Sequence, residues 1–456
     1  MKVIPCSLKC NALYHLLLIS SFCSFLIEIF EKKLFAGVCK ILKNYCFISF
    51  SFKPFFSLLY LICLTGQVYA QEIHGNEQAA IIAREDSIIK KDIVDVLLKG
   101  FQKGKTPKPP KEQKTFMTIF PAIGSTPATR LVGLVAANIA FYLGDRKTTT
   151  ASVILTSISY SLNKQLLFPI RSNIWLKNNT WNLIGDWRFM KYPQNTYGLG
   201  GGTTTSNKDL IVYSYIKIYE SAVKNVYSKL YAGGGINIDY FYDIDDTWNK
   251  PSTDPFKSYG VGTGNKSLST GLNASLLWDD RKNTINPEKG SYLNLVYRFY
   301  PTILGNSSGW ASVYADFRKY FCISPKKKNI LALWFLYWGV PKGEAPYLLL
   351  PSNAWDSYCN TSRGYVQGRF RSKNMLYAEA EYRYKITANG LIGGVIFANA
   401  ASYSEPGSGK YKYIYPAVGA GLRVKLNKDS NTNLVIDFAM GIKHSNGFYL
   451  DVGEIF

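Results

Sequence analysis

From about residue 116 onward the sequence alternates apolar and polar residues in sixteen successive stretches, and this period of two constrains the fold more than any other feature. Successive side chains of a strand point to opposite faces. In residues 291–300, Leu293, Leu295, Tyr297 and Phe299 share one face while Asn294 and Arg298 share the other. Trp181, Leu183, Trp187 and Phe189 stand in the same way against Asn182, Asp186 and Arg188, as do Val418, Ala420, Leu422 and Val424 against Arg423 and Lys425. A face suited to lipid and a face suited to water, repeated along the chain, predict an all-β fold: a closed, 16-stranded antiparallel transmembrane β-barrel over residues 116–456. After residue 70 no uncharged apolar run is long enough for a membrane helix, so strands must do the spanning.

Composition leans the same way. Aromatic residues make up 15% of the 456-residue chain, with 33 Tyr, a supply that suits girdles at the two lipid interfaces. The 53 Lys and Arg exceed the 31 Asp and Glu, for a net charge of +22. They are spread through strands and turns, which points to a basic lumen and rims facing anionic headgroups and away from nucleic acid. No C-x-x-C pair and no His, Asp or Glu set at catalytic spacing is present, so neither an enzyme nor a metal or cofactor site is expected. Beyond residue 70 only Cys322 and Cys359 remain, one before a short periplasmic turn and one in an external loop; two free thiols are expected.

Residues 1–70 are apolar and end in Val68-Tyr69-Ala70 before Gln71, which reads as a secretory signal cleaved near 70/71. The signal needs only about residues 53–70, so the start reads as over-extended; the alternative is an N-terminal membrane anchor over about residues 11–30. Residues 71–115 hold a short amphipathic helix at about 88–101 and a Pro/Lys linker at 103–111, a periplasmic lead-in. In a barrel whose N-terminus is periplasmic, the short turns follow even-numbered strands. Asp145-Arg146-Lys147, Ser221-Ala222-Val223-Lys224, Thr387-Ala388-Asn389-Gly390 and Asn427-Lys428-Asp429-Ser430 fit that rule, and the long connections at 192–208, 243–266 and 341–373 follow odd strands.

The longest connection, between strands eleven and twelve, carries Arg363-Gly364-Tyr365 and then Gly368-Arg369. Strand twelve puts Tyr377, Glu379, Glu381 and Arg383 on one face, and strand fifteen sets Asp437 between Ile436 and Phe438. An ionised carboxylate facing lipid is costly, so these acids point inward. A guanidinium on a long loop and several inward carboxylates imply that the loop folds into the lumen and is pinned there by a charge-assisted pair. The alternative is a solvated external loop with Arg363 unpaired. Between strands eight and nine, Asp279-Asp280-Arg281-Lys282-Asn283 runs on to Pro287 and Gly290.

On these motifs, residues 116–456 resemble the outer-membrane β-barrel assembly and translocation superfamily, the BamA/TamA-like surface-antigen barrels. Such barrels have sixteen strands, an R-G-[FY] tip of loop six bound in the lumen, and a D-x-R-x-N…P-x-x-G turn between strands eight and nine. The resemblance implies Glu381 and Asn399 as luminal partners of Arg363, beside Glu379 and Asp437. Asn399 stands where the family has Asp, in Phe397-Ala398-Asn399-Ala400-Ala401, so the pin is expected to rest more on Glu381. It implies a weak seam between strands one and sixteen that opens to an incoming client strand. Pro121 in strand one lacks an amide hydrogen there. The last strand, read as 447–456 with Phe448 and Phe456, is similar to the terminal signal by which such barrels are themselves assembled. The location implied is the bacterial outer membrane. The partners implied are outer-membrane lipid, unfolded outer-membrane protein clients, and a separate periplasmic partner that bears POTRA domains or acts as a chaperone, since residues 71–115 are shorter than one such domain. A monomeric barrel is expected. The alternative is a passive pore or structural surface barrel that keeps the fold and has lost assembly activity.

Overall fold

The computed structural model describes residues 92–93, 115–126, 128–246, 254–324, 328–428 and 430–456; the leader, and the lead-in apart from Asp92 and Ile93, lie outside them. The first eight strands are β1 (Thr115–Thr126), β2 (Arg130–Phe141), β3 (Ser152–Ser161), β4 (Leu166–Trp175), β5 (Trp181–Thr196), β6 (Asp209–Tyr227), β7 (Leu230–Asp245) and β8 (Ser267–Asp279). The second eight are β9 (Gly290–Tyr300), β10 (Trp310–Ser324), β11 (Asn329–Lys342), β12 (Asn374–Lys385), β13 (Ile392–Ser404), β14 (Tyr411–Asn427), β15 (Thr432–Gly441) and β16 (Asn446–Val452). Each pairs antiparallel with the next, making one 16-stranded sheet in chain order.

Alternation decides what each strand presents. On β9, Leu295, Tyr297 and Phe299 remain outside at 40%, 43% and 41% exposure, while Val296 between them is buried. On β12, Leu376 is outside and Glu379 and Glu381 are buried within. Among the described residues, none covers the outward apolar surface, as a lipid-facing band requires.

The sheet curls until its edge strands lie side by side. A Cβ placed on Gly124 of β1 would sit 3.5 Å from the Cβ of Leu450 on β16. Among the described residues, however, no ladder joins β1 to β16, so the barrel expected to be closed is held at this seam without strand pairing. The two edges also differ in length, 12 residues against 7, which leaves part of β1 with nothing opposite it on β16.

Three expected boundaries are corrected. Residues 192–196, expected to open the long connection, belong to β5 and pair with residues 213–209 of β6. Ser221, Ala222, Val223 and Lys224 are not a turn but part of β6, paired with Ile184, Leu183, Asn182 and Trp181 of β5. Val223 is fully buried with Trp175, Tyr231 and Leu277, and that burial carries the strand onward to a turn at Ser228-Lys229. The final strand does not run to Phe456: β16 ends at Val452, and Ile455 and Phe456 are buried inside.

The lumen is packed. Thirteen described tyrosines are buried, so the interfacial girdles account for only part of this residue's abundance. Tyr300 stacks on Trp310 at 3.9 Å, and Phe370 stacks on Tyr403 at 4.9 Å. Same-face charges two residues apart also pair within the wall: Arg188 with Asp186 at 2.8 Å and Arg318 with Asp316 at 2.7 Å. The Asp92 carboxylate accepts the Lys428 amide at 3.2 Å, which puts Asp92 beside the β14–β15 turn.

Candidate functional site

Loop six, residues 343–373, enters the lumen from the end opposite the β14–β15 turn, and its path is set by hydrogen bonds to its own backbone. Arg371 donates to the carbonyls of Tyr347 at 2.9 Å and Leu350 at 3.3 Å. The Asp356 carboxylate turns the chain by accepting the amides of Asn360 at 3.1 Å and Thr361 at 2.9 Å. From the wall, Arg188 donates to the carbonyls of Asp356 at 3.1 Å and Ser357 at 2.8 Å. Buried backbone groups in a segment without regular structure need such partners.

The loop thereby delivers Arg363, only 1% exposed, to three carboxylates. Its guanidinium pairs with Glu379 and Glu381 through Nη2 and with Asp437 through Nη1. The ring of Phe397 lies 3.6 Å from the guanidinium carbon, a cation–π contact that covers its open face. Register explains the convergence. On one side Glu381 stands opposite Ala332 and Asp437 opposite Gly421, which leaves room for charged groups; on the other side they stand opposite Phe397 and Tyr449. Asn399, directly opposite Glu379, donates from Nδ2 to the Arg363 carbonyl at 3.1 Å and so holds the loop's backbone instead of its guanidinium.

Each carboxylate is shared. Glu381 also accepts from Arg383 Nε at 2.8 Å, and Asp437 from Arg423 at 2.5 Å. Both arginines then turn to Glu454, at 2.8 Å from Arg423 and 3.9 Å from Arg383. Arg363, Glu381, Arg383, Glu454, Arg423 and Asp437 thus form a closed ring of alternating charge, with Glu379 attached to it and capped by the Tyr377 hydroxyl. Buried charges are tolerable when each is paired and hydrogen-bonded in this way. Sequence reasoning missed Glu454, because it lies beyond the end of β16 where alternation carries no information.

Residues 155–456 match the family model described as the Omp85 superfamily domain. The chain belongs to the Omp85 superfamily. No curated protein matches the chain. Among solved structures it is similar to CdiB from Escherichia coli, at 9% identity over 76% of this chain and 63% of that one, with a TM-score of 0.50. It is also similar to CdiB from Acinetobacter baumannii (11% identity, 75% and 60% covered, TM-score 0.47). A third likeness is BamA from Haemophilus ducreyi lacking POTRA domains 1-3 (12% identity, 75% and 70% covered, TM-score 0.48). The chain thus spans less than two thirds of either CdiB chain.

In this Omp85 barrel the remaining motif residues sit as follows. The Gly364 amide donates to the Tyr449 hydroxyl of β16 at 2.7 Å. Gly364 has φ of +104°, and a Cβ there would lie 2.8 Å from that of Ala417, so both backbone and space call for glycine. The Tyr365 hydroxyl donates to the Pro416 carbonyl at 2.6 Å and accepts the Ile442 amide at 3.1 Å. The Gly368 amide donates to the Asn353 carbonyl at 3.2 Å, and Arg369 reaches the Thr203 carbonyl in the β5–β6 connection at 2.6 Å. Cys359 lies in the lumen with its sulfur 3.5 Å from Arg188, unpaired like Cys322.

The β8–β9 turn is equally ordered. Arg281 grips Asp279 with two bonds of 2.9 and 2.8 Å, and the Asn283 side chain accepts the amides of Ile285 and Asn286 at 2.8 and 3.0 Å. Pro287 is buried, and a Cβ on Gly290 would lie 2.8 Å from the Asp280 carbonyl oxygen. The turn reaches far along the sheet: Asn283 approaches the Ser430 carbonyl at 3.5 Å, and Ile285 lies beside Gly453. At the seam, Pro121 is exposed in the middle of β1 opposite Val135, while Phe448 faces outward at 58% exposure with its ring 4.7 Å from that of Phe438.

Proposed function

We propose that this barrel inserts or translocates β-barrel proteins at the bacterial outer membrane by opening the β1–β16 seam, without covalent chemistry. The observation that carries the reading is the unpaired seam in an otherwise fully laddered sheet. An unpaired edge strand is a template for another strand, and β1 is the longer edge. The pinned loop supports the same reading, since it fills the lumen and holds β16 from within through Tyr449. A client strand would add to β1, gaining main-chain hydrogen bonds that neighbouring β16 does not supply. Capture would draw on a separate periplasmic protein bearing POTRA domains or acting as a chaperone. A photoreactive residue placed at Met117, which is 58% exposed on β1, tests this in intact outer membranes. Adducts with unfolded outer-membrane proteins are expected. Adducts confined to lipid, under conditions in which clients are being made, would contradict the reading and favour a structural barrel.

A further inference from the structure

β16 has only one ladder, to β15, and the four residues that follow it have partners of their own inside the barrel. Gly453 donates the last ladder bond to the Asn433 carbonyl at 2.8 Å and then, at φ of +110°, turns the chain into the lumen. Side chains other than glycine rarely adopt that backbone, although the nearest atom to a Cβ there would be 3.9 Å away. Glu454 is taken up by Arg423 at 2.8 Å and by the Asn433 amide nitrogen at 2.6 Å. The Ile455 carbonyl accepts from Asn360 of loop six at 3.1 Å, and the Phe456 main-chain oxygen from Arg383 at 3.0 Å. The Phe456 ring lies 5.2 Å from Trp334 and 6.3 Å from Tyr320, with the Arg383 guanidinium 5.1 Å from its centre.

We propose that the luminal groove formed by Tyr320, Trp334, Arg383, Arg423 and Asn433 is a receptor for residues 454–456, and that this segment is a latch holding β16 in place of the missing ladder to β1. The groove has the chemistry for its occupant: two guanidinium groups for the acid, and aromatic rings for an aromatic two residues later. Because Glu454 also completes the charge ring around Arg363, the latch and loop six share one network. Release of the latch therefore frees β16 on its inner side and loosens the loop-six pin in the same event. The proposal rests on the seam reading above, but its test does not use client assembly.

Hydrogen exchange along β16 is measured in bilayer-reconstituted protein for the parent, Phe456→Ala and Glu454→Gln. Amides of 446–452 are expected to exchange about tenfold faster in both variants, with those of β5 to β8 unchanged, since local opening is set by local contacts. Unchanged β16 exchange in both would overturn the latch. A second measurement covers variants that do not fold: Ile455→Cys, with Cys322→Ser and Cys359→Ser, should react with maleimide far more slowly in the folded barrel than after denaturation. Equal rates would also overturn it. A barrel that shows the latch but captures no client would reject only the proposed function.

Discussion

Truncating Arg363 leaves Glu379, Glu381 and Asp437 buried around an empty position, with Arg383 and Arg423 able to answer only part of their charge. Removing one partner of a buried ionic group costs about 3–5 kcal/mol, so Arg363→Ala should lower barrel stability by that order and expose loop six to protease in folded protein. A digestion pattern identical to the parent's would contradict the pin. Asn399→Asp has the opposite expectation from the one the family pattern suggests. The Asn399 amide donates to the Arg363 carbonyl and faces Glu379, so an aspartate there would remove a donor and add a like charge. Loss of about 1–3 kcal/mol in urea unfolding is expected, and a gain in stability would show that the guanidinium, not the carbonyl, is the partner that matters. At this scale the sequence was legible where alternation applies. β12 and β15 place Glu379, Glu381 and Asp437 inside, and these are the carboxylates Arg363 meets. Asn360, Tyr449 and Glu454 were not legible, because a loop, a hydroxyl and a segment leaving its strand carry no period.

Among the elements, a period of two reports which way a strand faces but is silent on where it stops. The β6–β7 hairpin shows this. Ser221 to Lys224 contain a serine and a lysine, which look like turn residues, yet buried Val223 holds them in the strand and the chain turns later at Ser228, where φ is +50°. Val223→Asp should therefore prevent folding, read as loss of heat-modifiable migration on gels, whereas a true turn would tolerate it. Ser228→Gly should be neutral or stabilise by about 1 kcal/mol, the usual penalty of a left-handed backbone for a residue with a Cβ. β16 teaches the same lesson from the other side: its alternation gives no sign that the strand ends at Val452, since the turn inward is made by one glycine and repaid by contacts distant in sequence.

For the whole molecule, the fold was legible nearly in full: sixteen strands in chain order, short turns at one end and a long inward loop. What sequence could not supply was the state of the seam, which depends on how the first and last strands meet after the rest of the sheet has formed. A packed lumen predicts low ion conductance in planar bilayers for the parent and higher conductance for Arg363→Ala; a large steady conductance in the parent would favour a passive pore. In the proposed function the β1–β16 seam opens. Gly124→Cys with Leu450→Cys places two thiols at a seam where the Cβ atoms would be 3.5 Å apart, within disulfide range. With Cys322→Ser and Cys359→Ser in the background, the rate at which outer-membrane clients are assembled is measured with this pair oxidised and then reduced. Assembly should be lost when the bond is closed and recover when it is reduced; assembly at the parent rate through an oxidised seam would show that the seam does not need to open.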